Sequence, residues 1–279
     1  MKITVAKDAG YCFGVRDAVN MAYDSAEEFG NVYMLGDIVH NEQVVSDLEK
    51  VGTKVVGSLN DVPKTSPILF RAHGTVKELW EEAKYKKMNI IDATCPLVHE
   101  IHHEVKKLAA DGRKIIIIGD HGHDEVVAIA NQVKGSIILS SPTEALNLRK
   151  MKKVGVVSQS TQMIENVQAI INILMEKVFD LQFVNTICYP TKRNHEQIKL
   201  LALKNDVMII IGSFTSANSK RLAELSFERN SNSYQVTSAK DLERIWFKNK
   251  KTVGISAGAS TPDYLIEEVK LKILEYTRN

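Results

Sequence analysis

Three short stretches decide the fold: GDIVHNE at 36–42, GDHGHDE at 119–125 and GSFTSAN at 212–218. Each opens on a glycine that closes an apolar run, and four residues further on stands a polar side chain: His40, His123 and Ser216. Upstream, a cysteine precedes each glycine by the same 24 residues: Cys12 before Gly36, Cys95 before Gly119 and Cys188 before Gly212. Downstream lies a third matching string, FRAHG (70–74), VSQST (157–161) and ISAGAST (255–261), in which an apolar run enters small and polar residues. Three cysteines, three glycines and three polar residues in one register make an internal threefold repeat. The predicted units are 1–92, 93–185 and 186–279.

The remaining sequence gives each unit its class. Apolar, β-branched runs fall at 2–5, 31–35, 67–71, 89–92, 114–119, 136–139, 154–158, 206–212, 234–236 and 252–256. Amphipathic stretches alternate with them, among them 15–29, 98–110, 163–179, 196–204 and 264–276. This alternation predicts an α/β fold: three similar units with mainly parallel sheets, related by an approximate threefold axis. No Pro/Gly/Ser-rich linker separates the units, so close packing between them is expected.

Composition excludes several classes. Among 279 residues, 36 basic and 34 acidic side chains leave a net charge of +2, which argues against a nucleic-acid binder. The basic runs 149–153 and 248–251 read as solvated ends flanking strand starts. The N-terminus, MKITVAKDAG, lacks the apolar core of a secretion signal, and no apolar run reaches membrane-spanning length. A cytoplasmic protein with no membrane association is expected. Three cysteines, an odd number in a reducing compartment, are poor disulfide material.

The repeat also directs chemistry to one place. In open parallel sheets, ligands bind beyond the carboxyl ends of the strands, where all of these strings lie. Each cysteine, in GYCFGV, ATCPLV and TICYPT, sits at a turn that opens a helix. A helix N-terminus lowers a thiol's pKa and favours the metal-binding thiolate. Soft thiolates suit zinc or an iron–sulfur cluster. Zinc generally uses closely spaced pairs such as CxxC, and none occurs here. A cubane held by only three cysteines keeps one iron exchangeable. His40, His73 and His123, with Ser216, Asn218 and Ser260, form a donor set suited to a diphosphate or another compact anion. Glu125 opens a helix, where a carboxylate serves equally as a cap or as a proton carrier. His99, His102, His103 and His195 fall on helical stretches and read as surface or packing residues, whereas His121 has no counterpart in the other repeats.

Taken together, CFGV, VHNEQVV, AHG, DATCPLV, GHDEV, QST, ICYPT, SANSKRLAEL and AGAST resemble, in order and over nearly the whole chain, the 4-hydroxy-3-methylbut-2-enyl diphosphate reductases. The resemblance implies three α/β units around a 4Fe–4S cluster ligated by Cys12, Cys95 and Cys188, with one iron left open for substrate. It implies that His40, His73, Ser216, Asn218 and Ser260 hold the substrate diphosphate. It also implies that His123, Ser160 and Thr161 surround the substrate hydroxyl, with Glu125 as the proton-delivering acid. Ala217 stands where relatives can carry a second serine, and Ser160 where some carry threonine. The implied reaction removes the allylic hydroxyl reductively and yields isopentenyl and dimethylallyl diphosphates. Electrons would come from a ferredoxin or flavodoxin, since no GxGxxG nucleotide fingerprint is present. Competing readings are a hydro-lyase needing no reductant, a fully cysteine-ligated redox sensor and a zinc-stabilised binding module.

Overall fold

A computed structural model describes residues 1–277. These form twelve strands: β1 (Lys2–Val5), β2 (Val32–Leu35), β3 (Thr53–Val56), β4 (Ile68–Phe70), β5 (Ile90–Asp92), β6 (Lys114–Ile118), β7 (Ile137–Leu139), β8 (Met151–Ser158), β9 (Val178–Phe183), β10 (Val207–Ile211), β11 (Ser233–Val236) and β12 (Thr252–Ala257). The α-helices are α1 (Phe13–Phe29), α2 (Glu42–Lys50), α3 (Lys77–Tyr85), α4 (Pro96–Ala110), α5 (Asp124–Ala130), α6 (Pro142–Leu146), α7 (Ile164–Lys177), α8 (Tyr189–Lys204), α9 (Ala217–Phe227) and α10 (Asp263–Thr277). The chain divides into two compact units. One comprises Met1–Arg16, Val39–Asp47 and Tyr189–Asn279, and the other Asp17–Ile38 and Leu48–Cys188. No helix among the described residues is long and apolar enough to cross a membrane.

The strands make three four-stranded sheets, and every recorded pairing is parallel. Their orders are β3-β2-β4-β5, β7-β6-β8-β9 and β11-β10-β12-β1. The strand ending at a repeat glycine and the strand entering a third string are the two central strands of each sheet. The fourth strand is the one that leads into a cysteine: β5 into Cys95, β9 into Cys188 and β1 into Cys12.

That last pairing departs from the division of the sequence into consecutive thirds. Residues 2–5, expected with the first unit, pair instead with β12, in the register Lys2↔Thr252 to Val5↔Ile255. The reason lies in sheet edges. In the sheets built on β2 and β6, the chain running on from the third string supplies the fourth strand. Among the described residues the sheet built on β10 has no strand following β12, and an unpaired β12 edge is costly. The N-terminal strand covers it, with Lys2 N donating to Lys251 O at 2.9 Å and Ala6 N to Ile255 O at 2.8 Å. The three sheets are thereby equivalent, and the third is closed by the start of the chain.

Side-chain alternation explains the apolar runs. In β6, Ile116 and Ile118 pack with Val154, Val156, Ile170 and Leu174, while Ile115 and Ile117 pack with Ile101, Val105, Leu108 and Ile129 on the other face. A parallel sheet covered on both faces needs such a continuous run. Each buried isoleucine contributes about 1.5–3 kcal/mol. The β10 strand, VMIII, is likewise buried along its whole length.

Candidate active site

The three sheets deliver the repeat strings in one hydrogen-bonding pattern. The repeat glycines donate to the end of the neighbouring edge strand: Gly36 N to Val56 O at 3.0 Å, Gly119 N to Leu139 O at 2.9 Å and Gly212 N to Val236 O at 2.9 Å. The cysteines donate to the third strings: Cys95 N to Ala72 O at 3.0 Å, Cys188 N to Ser160 O at 2.9 Å and Cys12 N to Ala259 O at 3.3 Å. Each cysteine is thus fixed beside the loop that carries candidate substrate donors. All three are half-buried, none is in a disulfide, and each directly precedes a helix, α1, α4 or α8. Cys95 is the N-cap of α4, with Pro96 in the first turn. Soft thiolate donors at helix N-termini fit an iron–sulfur group. Among the described residues, no group of three His, Cys, Asp or Glu side chains is arranged to hold a single metal ion. The ring of Phe13 stacks on that of Tyr189 at 5.8 Å and 10°, so the residues following Cys12 and Cys188 are in contact.

In the unit containing the N-terminus, four predicted anion-binding residues come together. Ser216 is the N-cap of α9 and accepts from Ser219 N at 3.3 Å. Ser260 donates from Oγ to His40 O at 3.1 Å, which ties the third string to the segment before α2. Ser213 Oγ donates to Glu42 at 2.7 Å. Asn218 is only 5 % exposed, yet neither Oδ1 nor Nδ2 has a hydrogen-bond partner in the protein. A buried amide left unpaired is costly and marks a place for a polar ligand. Ala217, buried in the first turn of α9, brings no hydroxyl to this cradle. The turn itself is held tightly: a Cβ on Gly212 would lie 2.2 Å from Ser219 Oγ, and one on Gly258 would lie 2.1 Å from it.

The other unit gathers the remaining candidates. His73, expected with the diphosphate set, lies beside His123, the two rings meeting edge-to-face at 5.8 Å. His123 is the N-cap of α5, its Nδ1 accepting from Glu125 N at 3.2 Å. A neutral His123 therefore carries its proton on Nε2 and presents a donor there. Glu125 is 2 % exposed, and both of its carboxylate oxygens are engaged by one residue: Ser160 N donates to Oε1 at 2.5 Å and Ser160 Oγ to Oε2 at 2.7 Å. Thr161 Oγ1 accepts from Gln159 Nε2 at 3.0 Å, and Gln159 Oε1 accepts from Asp120 N at 2.9 Å. Gln159, fully buried, thus joins the GDHGHDE and QST loops. Sequence reasoning missed it because its role is set by a residue 39 positions away.

The other histidines sort by burial. His102 and His195 are buried packing residues, 8 % and 4 % exposed. Burial, then the neighbouring His99 and Lys106, lowers the His102 pKa to about 4 against an opposing effect of Asp92. His121 reaches Glu144 at 3.0 Å. Hydrogen bonds from Ser140, first its hydroxyl and then its backbone N–H, and from His121 hold the Glu144 carboxyl down at about 2. This contact pins the GDHGHDE loop to the start of α6.

Comparison with known proteins gives concordant results. The family model described as LytB protein matches residues 3–274. A 4-hydroxy-3-methylbut-2-enyl diphosphate reductase from Geobacter metallireducens is 40% identical over 276 residues, covering 99% of this chain and 98% of the relative. Its namesake from Geobacter sulfurreducens is 40% identical over 277 residues, with the same coverage of 99% and 98%. Among solved structures, the E-1-hydroxy-2-methyl-but-2-enyl-4-diphosphate reductase from Plasmodium falciparum superposes with a TM-score of 0.92 at 30% identity, covering 100% of this chain and 88% of that one. A structure of (E)-4-hydroxy-3-methyl-but-2-enyl diphosphate reductase, described as the terminal enzyme of the non-mevalonate pathway, gives 0.71 at 37% identity, covering 98% and 99%.

Proposed function

The chain belongs to the LytB protein family, and on that premise we propose that it catalyses the reaction for which its relatives are named. It reduces 4-hydroxy-3-methylbut-2-enyl diphosphate to isopentenyl and dimethylallyl diphosphates. Two electrons and two protons enter, the allylic C–O bond breaks and water leaves. The carrying observation is the repeated junction of Cys12, Cys95 and Cys188 with Ala259, Ala72 and Ser160, by which each thiol has the same kind of local setting, beside a loop of candidate substrate donors. Those thiols are the proposed ligands of a 4Fe–4S cluster. When bound, that cluster supplies electrons and a Lewis-acidic iron without a thiolate ligand.

The chain's own side chains do the rest. The orphaned amide of Asn218, with Ser216, Ser260, His40 and His73, binds the diphosphate and so fixes the position of the carbon chain. His123 offers its Nε2 proton toward the substrate hydroxyl. Glu125 holds the proton that leaves with the departing oxygen, passing it through the Ser160 hydroxyl or directly. Thr161, oriented by Gln159, completes this hydroxyl network. Burial of Glu125 and Ser160 keeps bulk water from the breaking bond. Ferredoxin or flavodoxin is the proposed electron donor, and the cytoplasm the proposed location. The division into three repeats, 1–92, 93–185 and 186–279, is proposed as the unit of internal duplication, with β1 completing the third sheet.

The test is anaerobic turnover with reduced viologen, following both five-carbon products. Product formation that is lost in Cys12→Ser supports the reading. Absence of product from protein shown to contain four irons and sulfide rejects it, and turnover without reductant directs attention to a hydro-lyase.

A further inference from the structure

Arg71 and Asp124, both in the second unit, form an ion pair that the chemistry above does not use. Arg71 directly follows β4, two residues before His73, and Asp124 opens α5 between His123 and Glu125. Arg71 Nη1 donates to Asp124 Oδ2 at 2.6 Å, with 25% and 30% of the two side chains exposed. The bond therefore ties the loop of His73 to the loop of His123 and Glu125, whose histidine rings meet at 5.8 Å.

The same guanidinium nitrogen is confined by a glycine as well. Gly36 directly follows β2 at φ +74, and a Cβ there would lie 2.8 Å from Arg71 Nη1, the atom that bonds Asp124. The first repeat glycine thus leaves room for the arginine, as Gly212 does for Ser219. Arg71 Nη1 thus occupies the space beside Gly36 while it bonds a carboxylate, and a planar guanidinium in that position sets direction as well as charge. A partly exposed ion pair contributes little to stability, so stability alone does not account for this arrangement.

We propose that Arg71–Asp124 is a positioning pair that sets the placement of His73 relative to His123 and Glu125. The proposal rests on the substrate-binding roles given above. Misplacing reacting groups by about 1 Å lowers rates by up to roughly 100-fold.

The test is a double-variant cycle on the anaerobically purified, cluster-loaded enzyme, with iron content and melting temperature measured for each protein. Asp124→Asn, which keeps the shape but removes the charge, is expected to lower kcat/KM by on the order of 10-fold. In a His123→Ala background the same change is expected to cost less than in the parent, because one of the groups being positioned is gone. Asp124→Glu should restore most of the loss, and Gly36→Ala, which crowds the guanidinium and strains a backbone at φ +74 with both charges intact, should lower kcat/KM as well. Isothermal titration with inorganic diphosphate reads the same coupling without turnover, as weaker binding in Asp124→Asn. Unchanged kcat/KM in Asp124→Asn, or a loss that persists in full in the His123→Ala background, overturns the proposal. If Asp124→Asn fails to fold, the cycle is run with Asp124→Glu and Gly36→Ala; normal kinetics for Gly36→Ala in folded protein then overturns it. A parent enzyme with a full cluster and no reductase activity would instead defeat the functional reading.

Discussion

Replacing Asn218 by leucine should make the protein more stable and a worse enzyme. Asn218 is 5 % exposed, and both of its amide heavy atoms lack a partner in the protein. A buried unpaired polar atom costs about 1–3 kcal/mol, and a leucine of similar shape removes two such atoms while adding apolar contact. Intermittent solvation of the turn offsets part of this, leaving a net gain of roughly 1–2 kcal/mol. For a chain of this size each kcal/mol moves the melting temperature by about 2–4 °C, so a rise of several degrees is expected. The same change removes the hydrogen bonds proposed to a charged diphosphate, worth about 1.5–3 kcal/mol each, which predicts roughly 10- to 100-fold weaker binding. Scanning calorimetry with and without substrate, together with isothermal titration under anaerobic conditions, reads both effects. Substrate should raise the melting temperature of the parent and have far less effect on Asn218→Leu. A variant that melts several degrees lower and binds normally would refute the reasoning, since it would show the amide to be a structural group.

Glu125→Gln should keep iron content and substrate affinity while turnover falls by roughly 10²- to 10⁴-fold, because the neutral amide carries no transferable acid proton; near-parental turnover would assign that proton to another group. Gly212→Ala should destabilise the fold by about 1–3 kcal/mol, since the added methyl meets Ser219 Oγ at 2.2 Å; a urea midpoint equal to the parent's would show that Ser219 moves aside freely. His102 has its folded pKa lowered from 6.5 to about 4, so the unfolded chain binds the extra proton between those values. Stability should be complete above pH 6.5 and lost as pH falls toward 4, by up to about 3 kcal/mol. Urea midpoints measured across that window should flatten in His102→Gln, and an equally steep fall in the variant would place the titrating group elsewhere.

Much of this architecture is legible in one dimension. Parallel strands buried on both faces must be written as continuous apolar runs, so KIIII and VMIII announce β6 and β10 without reference to anything distant. The glycine–cysteine spacing identifies the repeat, and the motif strings identify the family. Local pattern also misleads at element ends. The helical stretch 163–179 stops at Lys177, because Val178 turns extended and opens β9 against β8. The helix predicted from 196 begins at Tyr189, with Pro190 in a first turn that tolerates it. The four-residue β3, TKVV, is too short to stand out from its flanks.

What the sequence by itself determined was the list of parts: α/β alternation, three cysteines each opening a helix, and the side chains that suit an anion and a proton. Which parts meet was decided only in three dimensions. The choice of β12 as the partner of β1 depends on an edge left unpaired 250 residues away in the chain. The Glu125–Ser160 bond spans 35 positions and the Arg71–Asp124 bond 53. Periodicity reports how each residue faces its own strand or helix, whereas a hydrogen bond between loops is fixed by where separate strands end, and that follows from sheet order and register.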